Sequence, residues 1–192
     1  MARRDYDQGQ VFGGVIDVLE ALGAVYAIWG GLAVVAYGEP RFTQDMDILL
    51  RGDSLAVTNF VRRLREMSYY VDQLAVQGAV IEGGFFNVIH EHYAIKVDFY
   101  VPQELDLLAM ITERVYLPFD EMRHAAYVTA TSVVAAKLRA YVDSNSTRHL
   151  DDIRTVVRMQ GKRLDAERLH RLAKQVGCYG VWQAIWETEG AK

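Results

Sequence analysis

Gly30-Gly31-Leu32-Ala33-Val34-Val35-Ala36-Tyr37-Gly38-Glu39-Pro40-Arg41-Phe42-Thr43-Gln44-Asp45-Met46-Asp47-Ile48-Leu49-Leu50 encodes a turn, a short helix, a polar connection and a strand. The glycine pair turns without a Cβ, and Leu32 to Tyr37 forms a brief helix that Gly38 can end in the left-handed conformation. From Gln44 to Leu50 the pattern is that of a strand. Successive strand side chains point to opposite faces, so Asp45 and Asp47 share one face while Met46, Ile48 and Leu50 enter the core. Two like charges held so close need a counter-charge, and a pair of divalent cations supplies one, as in phosphoryl-transfer enzymes. The alternative is two solvated aspartates on an edge strand. Leu49-Leu50 directly after the pair speaks for a central strand instead.

The turn before the helix carries its own chemistry. A helix N-terminus opened by Gly30 and Gly31 presents free N–H groups and partial positive charge, which suit a phosphate. A plain strand-to-helix turn is the other reading. Arg41 and Thr43 stand just before the aspartates, where they could touch a phosphate or cap the strand. For Arg41 a surface ion pair is equally open.

Working outward, residues 10–22 read as a helix, with Val11, Val15, Val18, Leu19 and Leu22 at spacings of three and four. Val25 to Trp29 reads as a buried strand. After the aspartate strand, Arg51-Gly-Asp-Ser is a turn, with Asp53 or Ser54 as N-cap of a helix reaching about Met67. Val80-Ile81 and Phe85 to Ile89 read as strands, and Glu91-His92 turns the chain into a strand over 94–101. There Ile95, Val97, Phe99 and Val101 face one way, and Lys96, Asp98 and Tyr100 the other, before Pro102 closes the strand. A short extended piece lies around 115–119.

From Thr131 onward the pattern is helical. Thr131 or Ser132 caps a helix to about Val142, Arg148 to Met159 forms a second, and Asp165 caps a third to Val176. Val181, Trp182, Ile185 and Trp186 make a terminal apolar stripe that docks on the others. The expected architecture is α+β: a small mixed sheet with helices over residues 1–128, followed by a C-terminal helical domain over 129–192.

Nucleotidyl transfer, the displacement of pyrophosphate from a nucleoside triphosphate by a hydroxyl, rests on positioning and charge neutralisation. Two magnesium ions, with manganese as the alternative, need three carboxylates, since these cations prefer hard oxygen ligands. Asp45 and Asp47 fit as the two bridging ligands. Asp98, on the polar face of a later strand, fits as the third, able to bind one cation and draw the proton from the attacking hydroxyl.

These motifs resemble those of the DNA-polymerase-β-like nucleotidyltransferases, and within that superfamily the abortive-infection (AbiEii-like) toxin type. Gly-Gly-x-Ala, then Gly, then Arg-x-Thr-x-Asp-x-Asp is similar to the first motif, with thirteen residues between Gly31 and Asp45. Lys96-Val-Asp98 is similar to the second. Lys137-Leu-Arg-Ala140 followed by Arg148-His-Leu-Asp151-Asp152-Ile153 looks like the third, with His149 in the place of that motif's first aspartate. The resemblance runs through residues 12–175 in order. It implies that Lys137 meets the triphosphate and that Asp152 orients it or supports the site. It further implies an NTP (ATP among the candidates) as donor, a tRNA 3′ end as acceptor and an antitoxin protein as partner. Read without the resemblance, Lys137 is a snorkelling surface lysine. Asp151 and Asp152 are then first-turn residues favoured by the helix dipole.

Two further readings of function stay open: an aminoglycoside-type small-molecule nucleotidyltransferase, and a non-catalytic nucleotide- or protein-binding member. Charge bears on the choice. Residues 1–136 hold 10 Lys+Arg against 18 Asp+Glu, whereas 137–174 hold 10 against 5, so a metal site would sit in an acidic part and a polyanion would meet a basic one. A solvated helical face explains the same numbers. One cysteine, Cys178, excludes an internal disulfide and multi-cysteine zinc sites and reads as packing. The first residues lack the apolar core of a signal peptide and no run is long enough for a bilayer span, so a cytoplasmic location without membrane contact is expected. His90 and His92 could ligate a metal, but at a hairpin turn they read more simply as solvated. Tyr69, Tyr70, Phe85 and Phe86 could stack a base or fill the core.

Overall fold

The computed structural model describes residues 8–190; residues 1–7 and 191–192, the outer ends of the two expected domains, lie outside the described residues. In chain order the elements are α1 (Gln8–Ala21), β1 (Tyr26–Trp29), α2 (Gly30–Tyr37), β2 (Met46–Leu50), α3 (Val57–Glu66), β3 (Tyr69–Val71), α4 (Gln73–Glu82), β4 (Gly84–His90) and β5 (Ile95–Val101). They continue with α5 (Leu105–Thr112), β6 (Val115–Pro118), β7 (His124–Tyr127), α6 (Ala130–Ser144), α7 (Thr147–Gln160), α8 (Ala166–Gln175) and α9 (Tyr179–Ile185). Among the described residues the chain forms two compact units, one of 8–31 and 43–127, the other of 32–42 and 128–190.

The first unit is built on a seven-stranded mixed sheet in the order β3-β4-β5-β2-β1-β7-β6. The aspartate strand β2 is central, antiparallel to β1 and parallel to β5, so the edge-strand alternative does not hold. Alternation along β5 does the sorting: Ile95, Val97, Phe99 and Val101 are buried, and Lys96, Asp98 and Tyr100 are half-buried on the other face. Phe99 stacks on Phe86 with ring centroids 4.7 Å apart, and Phe60 of α3 meets Phe99 edge-on at 5.6 Å. This aromatic cluster fills one side of the sheet and leaves the other open for polar groups.

Several sequence expectations need correction here. Val80 and Ile81 lie in α4, not in a strand. Asp72 is the overlooked cap: its carboxylate accepts from the N–H groups of Leu74 (2.9 Å) and Ala75 (3.3 Å). Neither Asp53 nor Ser54 caps α3, which starts at Val57 behind Ala56. Asp53 instead accepts from Arg51 at 2.9 Å, and the Ser54 hydroxyl accepts from the N–H of Val25 at 2.8 Å. Strands β3 and β7 and helix α5 were not expected; all are short, and their burial comes from long-range partners, not local pattern.

The second unit pairs α6 with α7 and adds α8 and α9. Thr129, not Thr131 or Ser132, caps α6, accepting from the N–H of Ser132 at 3.2 Å. Asp165 caps α8 as expected, accepting from the N–H of Arg168 at 2.9 Å. Trp182 is fully buried, with Trp186 tilted against it at 5.4 Å. Residues 32–42, which the sequence places in the first domain, cluster with this unit. The Tyr37 hydroxyl donates to the Val128 carbonyl at 2.8 Å, and Arg158 binds Glu39 at 2.6 Å. Gly38 is not left-handed. It is glycine because a Cβ there would lie 2.7 Å from Thr155 Oγ1 and 3.0 Å from the Val34 carbonyl oxygen.

Candidate active site

Strand register places the acidic residues. Asp47 is the Cα partner of Trp29 on β1 and of Asp98 on β5, and Asp98 is in turn the partner of Asn87 on β4. Trp29, Asp47, Asp98 and Asn87 therefore form one row across four strands on the open face. Tyr100 and Phe85, also partners, form the next row. Asp45 lies one residue before β2, and the Thr43 hydroxyl donates to its carbonyl at 3.4 Å. Gln8 holds the approach, donating to the carbonyls of Thr43 (3.1 Å) and Gln44 (2.7 Å).

Lys96 is the local counter-charge. Its ammonium stands 2.6 Å from Asp98 Oδ2. That hydrogen bond, outweighing desolvation and helped by the charges of Asp98, Asp45 and Asp47, holds the lysine above its ordinary pKa. Asp98 Oδ1 is buried and has no hydrogen-bond partner.

Gly30 shapes the site at closest quarters. Its φ is +63°, and a Cβ would lie 2.1 Å from Asp47 Oδ2. The N–H of Gly31 points to that same oxygen at 3.5 Å. Gly30→Ala is therefore expected to cost roughly 1–2 kcal/mol for a left-handed non-glycine residue and to displace the Asp47 carboxylate as well. Thermal unfolding and a transfer assay would register both; wild-type values in each would refute the close packing.

Magnesium is the cation to weigh against this donor set. Among the described residues no three of His, Cys, Asp and Glu are grouped closely enough to hold a metal ion by themselves. Magnesium does not ask for such a group, since it keeps waters and takes substrate phosphates beside one or two carboxylates. Asp45, Asp47 and Asp98 offer hard oxygens of that kind, and Asp98 Oδ1 is buried without a partner.

The third-motif residues gather within the second unit. Asp152, 3% exposed, accepts from Arg41 Nη2 at 3.2 Å on Oδ2, the oxygen that also lies 2.8 Å from Lys137 Nζ, and Arg41 Nε stands 3.0 Å from Oδ1. Lys137 is 14% exposed, so it is neither snorkelling nor solvated, and Asp152 is no exposed first-turn residue. Asp151 is exposed and paired with Arg154, but it lies beyond the first turn of α7. Burial, then the charge of Lys137, pushes His149 below its ordinary pKa. His90 packs against the rings of Tyr69 (4.9 Å) and Tyr93 (4.8 Å).

The sequence places Lys96 on one face with Asp98 without giving it a role, and Trp29 and Asn87 are not among its expected neighbours of the aspartates. For Lys96 the signal existed, since alternation in Lys96-Val97-Asp98 puts both charges on one face. Trp29 and Asn87 join only through register.

This fold is that of a nucleotidyltransferase. It is similar to the crystal structure of ANT(2")-Ia in complex with adenylyl-2"-tobramycin, with a TM-score of 0.59 at 12% identity, covering 88% of this chain and 96% of that one. It is also similar to an antigenic nucleotidyltransferase-like protein from Paracoccidioides brasiliensis, with a TM-score of 0.54 at 14% identity and 87% of each chain covered. No curated protein matches the chain in sequence. The sequence profile of the family described as "Nucleotidyl transferase AbiEii toxin, Type IV TA system" matches residues 18–180, and the chain belongs to that family. It is a nucleotidyltransferase enzyme.

Proposed function

We propose that this enzyme moves a nucleoside monophosphate from an NTP to the 3′ end of a tRNA, using two magnesium ions held by Asp45, Asp47 and Asp98. The observation that carries this reading is the direct pairing of Asp47 with Asp98 across β2 and β5, with Asp98 Oδ1 left without a hydrogen bond. When bound, the cations would neutralise the triphosphate and polarise its α-phosphate.

The chain's own residues do the rest. The N–H groups at Gly30 and Gly31 receive phosphate oxygens. Asp98, positioned by Lys96 at 2.6 Å from its Oδ2, is assigned to take the proton of the acceptor hydroxyl. As that proton leaves, the acceptor oxygen bonds the α-phosphorus, and the bond from there to the pyrophosphate breaks. Arg41, Thr43 and Lys137 are assigned to the triphosphate, and Asp152 orients the two cationic side chains it already binds.

The family supports an antitoxin as partner. Among the described residues no helix is long and apolar enough to cross a membrane, consistent with a cytoplasmic site of action. Similarity to ANT(2")-Ia, whose structure holds adenylyl-2"-tobramycin, favours a second reading with a small-molecule acceptor.

Purified protein with magnesium, labelled NTPs and either total tRNA or an aminoglycoside panel separates the two. Label is expected on tRNA, with affinity falling steeply as salt rises, because the basic 137–174 region would bind a polyanion. Label on an aminoglycoside alone, indifferent to salt, would replace the first reading with the second.

A further inference from the structure

Beside Asp47 and Asp98 the first unit opens a cleft of about 280 Å³, lined by Trp29, Asp47, Phe85, Asp98, Tyr100 and Leu107. We propose that this cleft receives the terminal nucleobase of the acceptor, stacked on Phe85, so that its ribose presents a hydroxyl to Asp98. The assignment rests on the reading of Asp98 as the acceptor-side carboxylate and names the acceptor's chemical class: a nucleoside end.

Phe85 and Phe86 are consecutive and meet opposite fates. Phe86 is 3% exposed and stacks on Phe99 in the core, whereas Phe85 is 55% exposed on the open face, opposite Tyr100. The core therefore accounts for Phe86 and leaves Phe85 unexplained. An exposed ring one row from the reacting carboxylates is a stacking platform for a flat ligand. The other walls agree. Trp29 and Tyr100 lie nearly parallel, 23° apart in plane with centroids 6.3 Å apart. The Tyr100 hydroxyl is fixed by donating to Glu104 at 2.7 Å.

The charge of the lining favours a base over an aminoglycoside. An aminoglycoside brings several ammonium groups and needs a carboxylate near each. Among the described residues the charged ones lining it are Asp47 and Asp98, and Lys96 already pairs with Asp98. The remaining walls are aromatic or aliphatic. A neutral planar base loses nothing against them, whereas a polycation would be desolvated without partners. The volume, about 280 Å³, lies just below the usual range of ligand sites and suits a single nucleoside.

The test uses the RNA trinucleotide C-C-A and its counterpart lacking the 3′ base, titrated into the full chain without magnesium or NTP. Tryptophan fluorescence is followed, with Trp29→Phe isolating the signal of the cleft from Trp182 and Trp186. The intact trinucleotide is expected to quench Trp29 saturably, and the abasic one to bind roughly tenfold to a hundredfold more weakly, the scale of one lost base stack. Phe85→Ala should lower affinity for the intact trinucleotide to the abasic level, and Phe85→Tyr should restore it. No quenching by C-C-A, equal binding of both trinucleotides, or competition by tobramycin would overturn the assignment. So would a Phe85→Ala enzyme whose KM rises for NTP and not for the acceptor. Asp98→Asn separates the two readings: it should retain C-C-A binding and lose transfer. Transfer at the wild-type rate in Asp98→Asn would sink the catalytic reading while leaving the cleft intact. Unchanged binding in Phe85→Ala would sink the cleft alone.

Discussion

Asp47→Ala is expected to reduce nucleotidyl transfer below detection while the protein keeps its fold. Asp47 sits in the middle of the row Trp29–Asp47–Asp98–Asn87, where two strands pin its backbone. Its side chain is half-buried on the open face, not in the core, so truncation opens no internal cavity. Removing it also relieves repulsion among Asp45, Asp47 and Asp98, and the N–H of Gly31 can turn to water instead. Stability should therefore change little. The site loses a carboxylate that no neighbour replaces, because Lys96 is of the wrong sign. Asp98→Asn is the informative contrast. It preserves shape and an oxygen for Lys96 to bind, yet cannot take a proton, so it should bind NTP and transfer at least ~100-fold more slowly. Circular dichroism, NTP affinity and a labelled-transfer assay measure all three quantities. Full activity in Asp47→Ala would remove the basis of the assignment.

What the sequence could disclose followed from how local each feature is. The aspartate strand and the Lys96–Asp98–Tyr100 face were legible because a strand alternates with period two regardless of its partners. The glycine pair was legible as a turn. That Gly30 must be glycine because Asp47 lies 2.1 Å from its missing Cβ is visible only in three dimensions. Gly38 shows the opposite case: a helix-ending glycine suggests a left-handed cap, while its real constraint is Thr155, far along the chain. Helix α4 was misread because Val80-Ile81, taken alone, has strand chemistry, and its cap at Asp72 lies outside that short window. Lys137 and Asp152 looked exposed on helical grounds. Their burial comes from each other and from Arg41, a triad assembled from three separate segments.

That triad carries the largest expected effect on stability. Asp152→Ala is expected to destabilise the protein by about 3–5 kcal/mol, because it leaves two largely buried cations without their carboxylate. For a chain of this length the unfolding midpoint should fall by roughly 6–20 °C. The loss should exceed that from Asp151→Ala by a wide margin, since Asp151 pairs with Arg154 in solvent. A triple variant, Arg41→Leu, Lys137→Met and Asp152→Leu, decides what the triad is for. Apolar side chains of similar size remove the desolvation cost together with the charges, and such replacements of buried ion clusters are neutral or stabilising. The midpoint should therefore return to the wild-type value or above it. If the cluster serves only to hold the second unit together, activity returns with it. If Lys137 and Arg41 bind triphosphate, the triple variant melts like the wild type and yet shows a raised KM for NTP. A wild-type midpoint in Asp152→Ala would show that the buried charges find partners without it, and the structural role would fall.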